Sequence, residues 1–124
     1  MPRGRRPVEA IKEAKEFAER MGYRCTDNPH PDLQFDFEIF KPESCRLVKI
    51  VTSRFRLDPE IFSDQIYPEV VAELRDVSYP PFILRELWHR TQHERSWRRF
   101  LLNAVSVSEI EWWGPDGYTN KYSR

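Results

Sequence analysis

Apolar residues from Val8 to Met21 recur at spacings of three and four. Val8, Ile11, Ala14, Ala18 and Met21 define one face, Pro7 stands at the first helical position and Gly22 follows the last apolar residue. This pattern predicts an amphipathic helix that stops at the glycine. Its other face carries Glu9, Lys12, Glu13, Lys15, Glu16 and Glu19, a solvated surface with helical ion pairs. "GYRCT" reads as the start of a short strand and "DNPHPD" as turn chemistry.

The period then changes to two. Leu33, Phe35, Phe37 and Ile39 alternate with Gln34, Asp36 and Glu38, which predicts a strand over 33–39. "KPES" puts Pro42 at the second position of a turn, and the β-branched "CRLVKIVTS" returns as the next strand. A four-residue turn from Lys41 to Ser44 sets Asp36 opposite Lys49 and Glu38 opposite Leu47. A slip of one residue would turn Lys49 to the other face.

Asp58 and Pro59 open a helical stretch that Pro68 must break or restart, with "PEVVAELRDV" as its second piece. "FILRELWHRT" and "SWRRFLLN" flank "QHER" as a hairpin, and "VSVSEIEWW" adds an edge strand. The last stretch, "GPDGYTNKYSR", reads as loop, and flexibility is expected at residues 1–6 and from about 115 to 124.

A chain of 124 residues suits one domain. Twenty basic residues balance twenty acidic ones, so any contact with nucleic acid must come from a local patch and not from net charge. No apolar run approaches the roughly 20 residues that span a bilayer, and no apolar segment follows the basic N-terminus as in a secretory signal. A cytoplasmic location is expected. Cys25 and Cys45 read as small buried hydrophobes, with a single disulfide left open.

The order of helix, "GY" into a strand, a strand with Asp36, a turn, and a strand with the apolar-flanked Lys49 resembles the PD-(D/E)XK nucleases. That superfamily includes restriction enzymes and archaeal Holliday-junction resolvases, and the resemblance covers residues 8–54. It implies an α/β domain of restriction-endonuclease-like fold, a mixed β-sheet flanked by helices. It also implies a Mg²⁺-dependent endonuclease acting on DNA, or a scaffold in which that activity is weakened or lost. In such enzymes carboxylates hold the metal and the lysine positions the attacking water, because hard oxygens suit Mg²⁺ and a nearby cation stabilises charge on the phosphate.

Carried over by position, Asp36 matches the family aspartate, with Phe35 before it where proline is commonest, and Lys49 matches the lysine. The second acid should stand two residues before the lysine, at Leu47. Either Glu38 reaches the same space from the facing strand, or a helix acid, Glu9 or Glu13, replaces it. The catalytic set would then be Asp36, Glu38 and Lys49, with Asp36 and Glu38 on the metal. The alternative is a non-catalytic interaction module in which Asp36 and Lys49 form a cross-strand ion pair.

"RELWHRTQHERSWRR" interleaves Arg85, Arg90, Arg95, Arg98 and Arg99 with tryptophan and histidine. Arginine can hold phosphate bidentately and aromatic faces can stack bases, so this hairpin is the candidate nucleic-acid surface. The same alternation also suits a solvated hairpin face with Leu87, Trp97 and Phe100 in the core.

His89 and His93 lack a close Cys pair and do not suggest zinc. His30 belongs to a loop. Ser53, Ser96 and Ser106 have no nucleophile context, and no phosphate-binding glycine loop is present. Trp112, Trp113, Tyr118 and Tyr122 would cover either the domain's own core or, as a homodimer contact, a second copy.

Overall fold

The computed structural model describes residues 7–30, 32–54, 66–80, 82–91, 97–114 and 117–119, with side chains up to residue 110. The elements are α1 (Val8–Arg20), β1 (Arg24–Asp27), β2 (Phe37–Lys41), β3 (Ser44–Ser53), α2 (Pro68–Arg75), β4 (Leu84–Thr91), β5 (Trp97–Leu102), β6 (Val107–Gly114) and β7 (Gly117–Thr119). They form one 7-stranded sheet in sequential order. β3 and β4 are parallel, with α2 in their crossover, and the other neighbours are antiparallel. This is the expected mixed α/β sheet flanked by helices, and its first half repeats the element order on which the restriction-endonuclease-like reading rests.

Alternation along the strands sends side chains to two cores. On one face Phe37, Ile39, Val48, Ile50, Trp88 and Trp97 pack with Ala10, Ile11, Ala14, Phe17 and Ala18 of α1. On the other, Leu47, Leu87, Phe100 and Leu102 pack with Val71 and Leu74 of α2. The α1 stripe is rotated slightly from the expected one: Ala10 and Phe17 are inside, while Val8 is 66% exposed. Gly22 ends the helix with φ +91°, a left-handed conformation that L side chains rarely adopt.

The turn register is the expected one, with Lys41 paired to Ser44, Glu38 to Leu47 and Phe37 to Val48. The strand itself is shorter at its start than the alternation suggested. β2 begins at Phe37, and Phe35 and Leu33 pack in the α2-side core, across the sheet from Phe37 and Ile39. Asn28 holds this bend through its side-chain N–H groups, which donate to the carbonyls of Leu33 and Phe35. At the other end, β7 pairs with β6 where a loop was expected, so "VSVSEIEWW" is not an edge strand. Asp58, Pro59 and the "QHER" turn lie outside the described residues, as do residues 1–6. Among the described residues no helix is long and apolar enough to cross a membrane.

Candidate active site and nucleic-acid surface

Asp36 stands one residue ahead of β2, at the bend that separates the two cores. Its N–H donates to the Val48 carbonyl at 2.8 Å, and its Oδ2 accepts the Ile50 N–H at 2.7 Å. Lys49 Nζ lies 3.8 Å from Oδ1, with the Asp36 side chain 2% exposed and that of Lys49 14%. The two residues thus meet as the turn length requires. The carboxylate is also a structural clamp, because one of its oxygens satisfies the Ile50 N–H of β3 where β2 has not yet begun.

Glu38 does not join them. Asp36 lines a depression of about 510 Å³ beneath α1, together with Ile11, Lys12, Lys15, Asp27 and Asn28. Glu38 lines a different one, of about 700 Å³, with Phe40, Cys45, Phe82, Ile83 and Leu84. There its Oε1 accepts the Tyr79 hydroxyl at 3.1 Å and its Oε2 the Cys45 thiol at 3.3 Å. Burial and then Glu38 push the Tyr79 phenol up from its ordinary value. Burial and the same carboxylate push the Cys45 thiol up to about 11. Both donors therefore stay protonated at neutral pH.

A divalent cation needs several oxygen ligands converging on one point. Leu47, in the place of the second acid, is fully buried in the α2-side core. Of the helix acids weighed in its place, Glu13 pairs with Arg90 at 2.5 Å, and Glu9 is exposed. Among the described residues no group of three His, Cys, Asp or Glu side chains could hold a metal ion. The described residues do not fit a Mg²⁺ centre of the expected kind.

Among the described residues, the arginines expected to grip phosphate are engaged within the fold. Arg85 donates to the carbonyls of Leu74, Val77, Tyr79 and Ile83, so it satisfies the C-terminal turn of α2 and the segment beyond it. Arg99, 1% exposed, donates to both oxygens of Glu86 at 2.8 and 2.9 Å. Arg98 makes a bidentate pair with Glu109, both bonds at 2.8 Å. Arg90 packs its guanidinium 4.6 Å from the Trp97 ring centre as well as pairing with Glu13. Alternation is a sound guide to facing but not to solvent, because both faces of β4 and β5 are covered. Arg95 lies outside the described residues.

Two constellations were not anticipated. Glu86, with no exposure, also accepts from Arg46 at 2.5 Å and from the Trp88 indole at 2.7 Å. Burial pushes its carboxyl up, but the guanidinium of Arg99, and then that of Arg46, outweigh burial and hold it below the usual range. Its alternation with Leu87 and alignment with Trp88 were the available signal: an acid sharing a strand face with a core tryptophan needs buried cations.

The second constellation is His89, 1% exposed, whose Nε2 is 2.7 Å from Ser53 Oγ. The Tyr67 ring lies 5.7 Å from the imidazole, and Arg98 pairs with His89 across the β4–β5 ladder. Nothing in the sequence joins Ser53 to His89, because the contact depends on the parallel β3–β4 register.

The cysteines are free and half-buried, Cys25 on the α1 side and Cys45 against Glu38. His30 is exposed in its loop. The aromatic side chains at Trp112, Trp113 and Tyr118 lie outside the described side chains, and Tyr122 lies outside the described residues.

No family profile and no curated protein sequence matches the chain. Among solved structures it is similar to the 1.6 Å structure of Hjc from Archaeoglobus fulgidus, a Holliday junction resolvase from an archaeal hyperthermophile. The identity is 11%, the TM-score is 0.47, and the match covers 80% of this chain and 85% of that one. A likeness of this size carries no weight for chemistry, which rests on the side chains above.

Proposed function

We propose that this protein is a nucleic-acid-associated protein of nuclease-like fold that does not cut phosphodiesters. The observation that carries the reading is the Asp36–Lys49 pair, 3.8 Å apart, at the register that a nuclease hairpin would need. The position for the second carboxylate is a fully buried leucine, and Glu38 is engaged elsewhere. Lys49 then balances a carboxylate that supports the β2–β3 backbone, and no step of hydrolysis is assigned to it.

With Arg85, Arg98 and Arg99 buried, phosphate contacts fall to exposed cations such as Lys12, Arg24 and Arg54. Fluorescence anisotropy with labelled four-way, duplex and single-stranded DNA tests this. Saturable binding that weakens as salt rises is expected, and Lys12→Glu should weaken it several-fold. No binding to any of the three at low salt rejects the nucleic-acid reading.

The inward arginines favour a second reading, a protein-interaction module that retains the scaffold alone. It is preferred if DNA binding is absent while the chain is folded by circular dichroism.

A further inference from the structure

Glu38 is half-buried, and each of its hydrogen-bond partners is neutral, the Tyr79 hydroxyl at 3.1 Å and the Cys45 thiol at 3.3 Å. The other acids drawn into the described sheet behave differently. Asp36 has Lys49, Glu86 has Arg46 and Arg99, and Glu109 has Arg98. A carboxylate removed from bulk water without a cation is stabilised by the arrival of one.

The depression around Glu38 presents the apolar surface that a flanking chain would need. Phe82 is 80% exposed and Leu84 36%, and Phe40 and Ile83 line the same space. At the rim, Lys41 already lies over the Tyr23 ring, 4.2 Å from its centre, and Glu43 adds a second negative charge. We propose that this groove, between the β2–β3 turn and the 82–84 segment, binds an extended segment of a protein partner that seats an arginine side chain on Glu38.

Arginine suits the site because its planar guanidinium can meet a carboxylate and lie against an aromatic ring. The exposed Phe82 and Leu84 would cover the aliphatic residues on either side of it, a contact that a free polyamine does not offer. This inference is independent of nucleic-acid binding and gives Glu38 a role outside any metal site.

The test uses the full chain, ¹⁵N-labelled, titrated with the tripeptide acetyl-Leu-Arg-Leu-amide and followed by amide chemical shifts. Saturable shifts at Glu38, Ser44, Cys45 and Ile83 are expected. Affinity should fall at least tenfold with glutamine in place of the peptide's arginine, and at least tenfold in Glu38→Gln. Phe82→Ala, a change at an exposed side chain that leaves the fold intact, should weaken binding about threefold or more. The proposal is overturned if Glu38→Gln and Phe82→Ala bind as the parent does, or if the shifts centre on the Asp36 depression. It is equally overturned if spermidine occupies the groove as tightly as the tripeptide, which would make it a site for free cations.

Discussion

His89 should make the stability of this protein fall between neutral and mildly acid pH. Burial of the imidazole, and then the positive charge of Arg98, lower its pKa from the ordinary 6.5 to about 4, with Glu109 opposing in part. Below pH 6.5 the unfolded chain takes up a proton that the folded protein refuses, so unfolding gains free energy as the pH drops. The effect is complete near pH 4, where the folded protein protonates as well. At about 1.36 kcal/mol per pH unit, the interval corresponds to about 3 kcal/mol.

Urea unfolding at intervals from pH 8 to pH 4, on the parent and on His89→Gln, isolates this contribution. Glutamine can keep a hydrogen bond to Ser53 but cannot titrate, and the carboxylates titrate alike in both proteins. The parent should lose about 3 kcal/mol more than the variant across that range. Parallel pH profiles would refute the reasoning, since they would mean that the buried ring accepts its proton as readily as one in water.

Glu86→Gln leaves the buried Arg99 guanidinium and the half-buried Arg46 without their anion and should cost about 3–5 kcal/mol in denaturant unfolding. Because the folded pKa of Glu86 is depressed, its contribution is present above the ordinary carboxylate range and is lost as pH falls through the folded value. Arg85→Lys cannot reach the four carbonyls that Arg85 serves and should lower stability by about 2–3 kcal/mol, while DNA anisotropy of the folded variant stays unchanged. Leu47→Asp restores the acid type that the nuclease resemblance calls for, but it buries a charge in the α2-side core. A loss of about 4 kcal/mol or more on thermal unfolding is expected, instead of a gain of Mg²⁺-dependent cleavage. Gly22→Ala meets only ordinary contact with Lys41, so its cost of about 1–2 kcal/mol by the same assay reflects the positive φ alone.

Elements with a strong local period were legible in the sequence. The α1 repeat, the "KPES" turn and the β4–β5 hairpin strands each follow from spacing or turn chemistry that acts within a few residues. The register that brings Asp36 to Lys49 followed from the length of one turn. The bend at residues 35–36 did not, because the alternation from Leu33 to Ile39 is unbroken and the fold overrides it by sending Phe35 and Phe37 to opposite cores. The arginines misled for a related reason. A polar alternation signals a solvated face only if one side of the sheet is open, and here α1 and α2 cover both. Glu86 with Arg46 and Arg99, and Ser53 with His89, join strands that are distant in sequence, so their pairing depends on the parallel crossover.

We propose that Asp36 and Lys49 meet as in a nuclease hairpin but hold no metal centre. Incubating the purified protein and its Lys49→Ala variant with end-labelled four-way and duplex DNA in Mg²⁺ and in Mn²⁺ tests it most directly, with products resolved on a denaturing gel. No product is expected from either protein at concentrations that saturate the DNA. Cleavage by the parent that disappears with Lys49→Ala would contradict it and would show that Asp36 and Lys49 work with a ligand set that includes residues beyond those described.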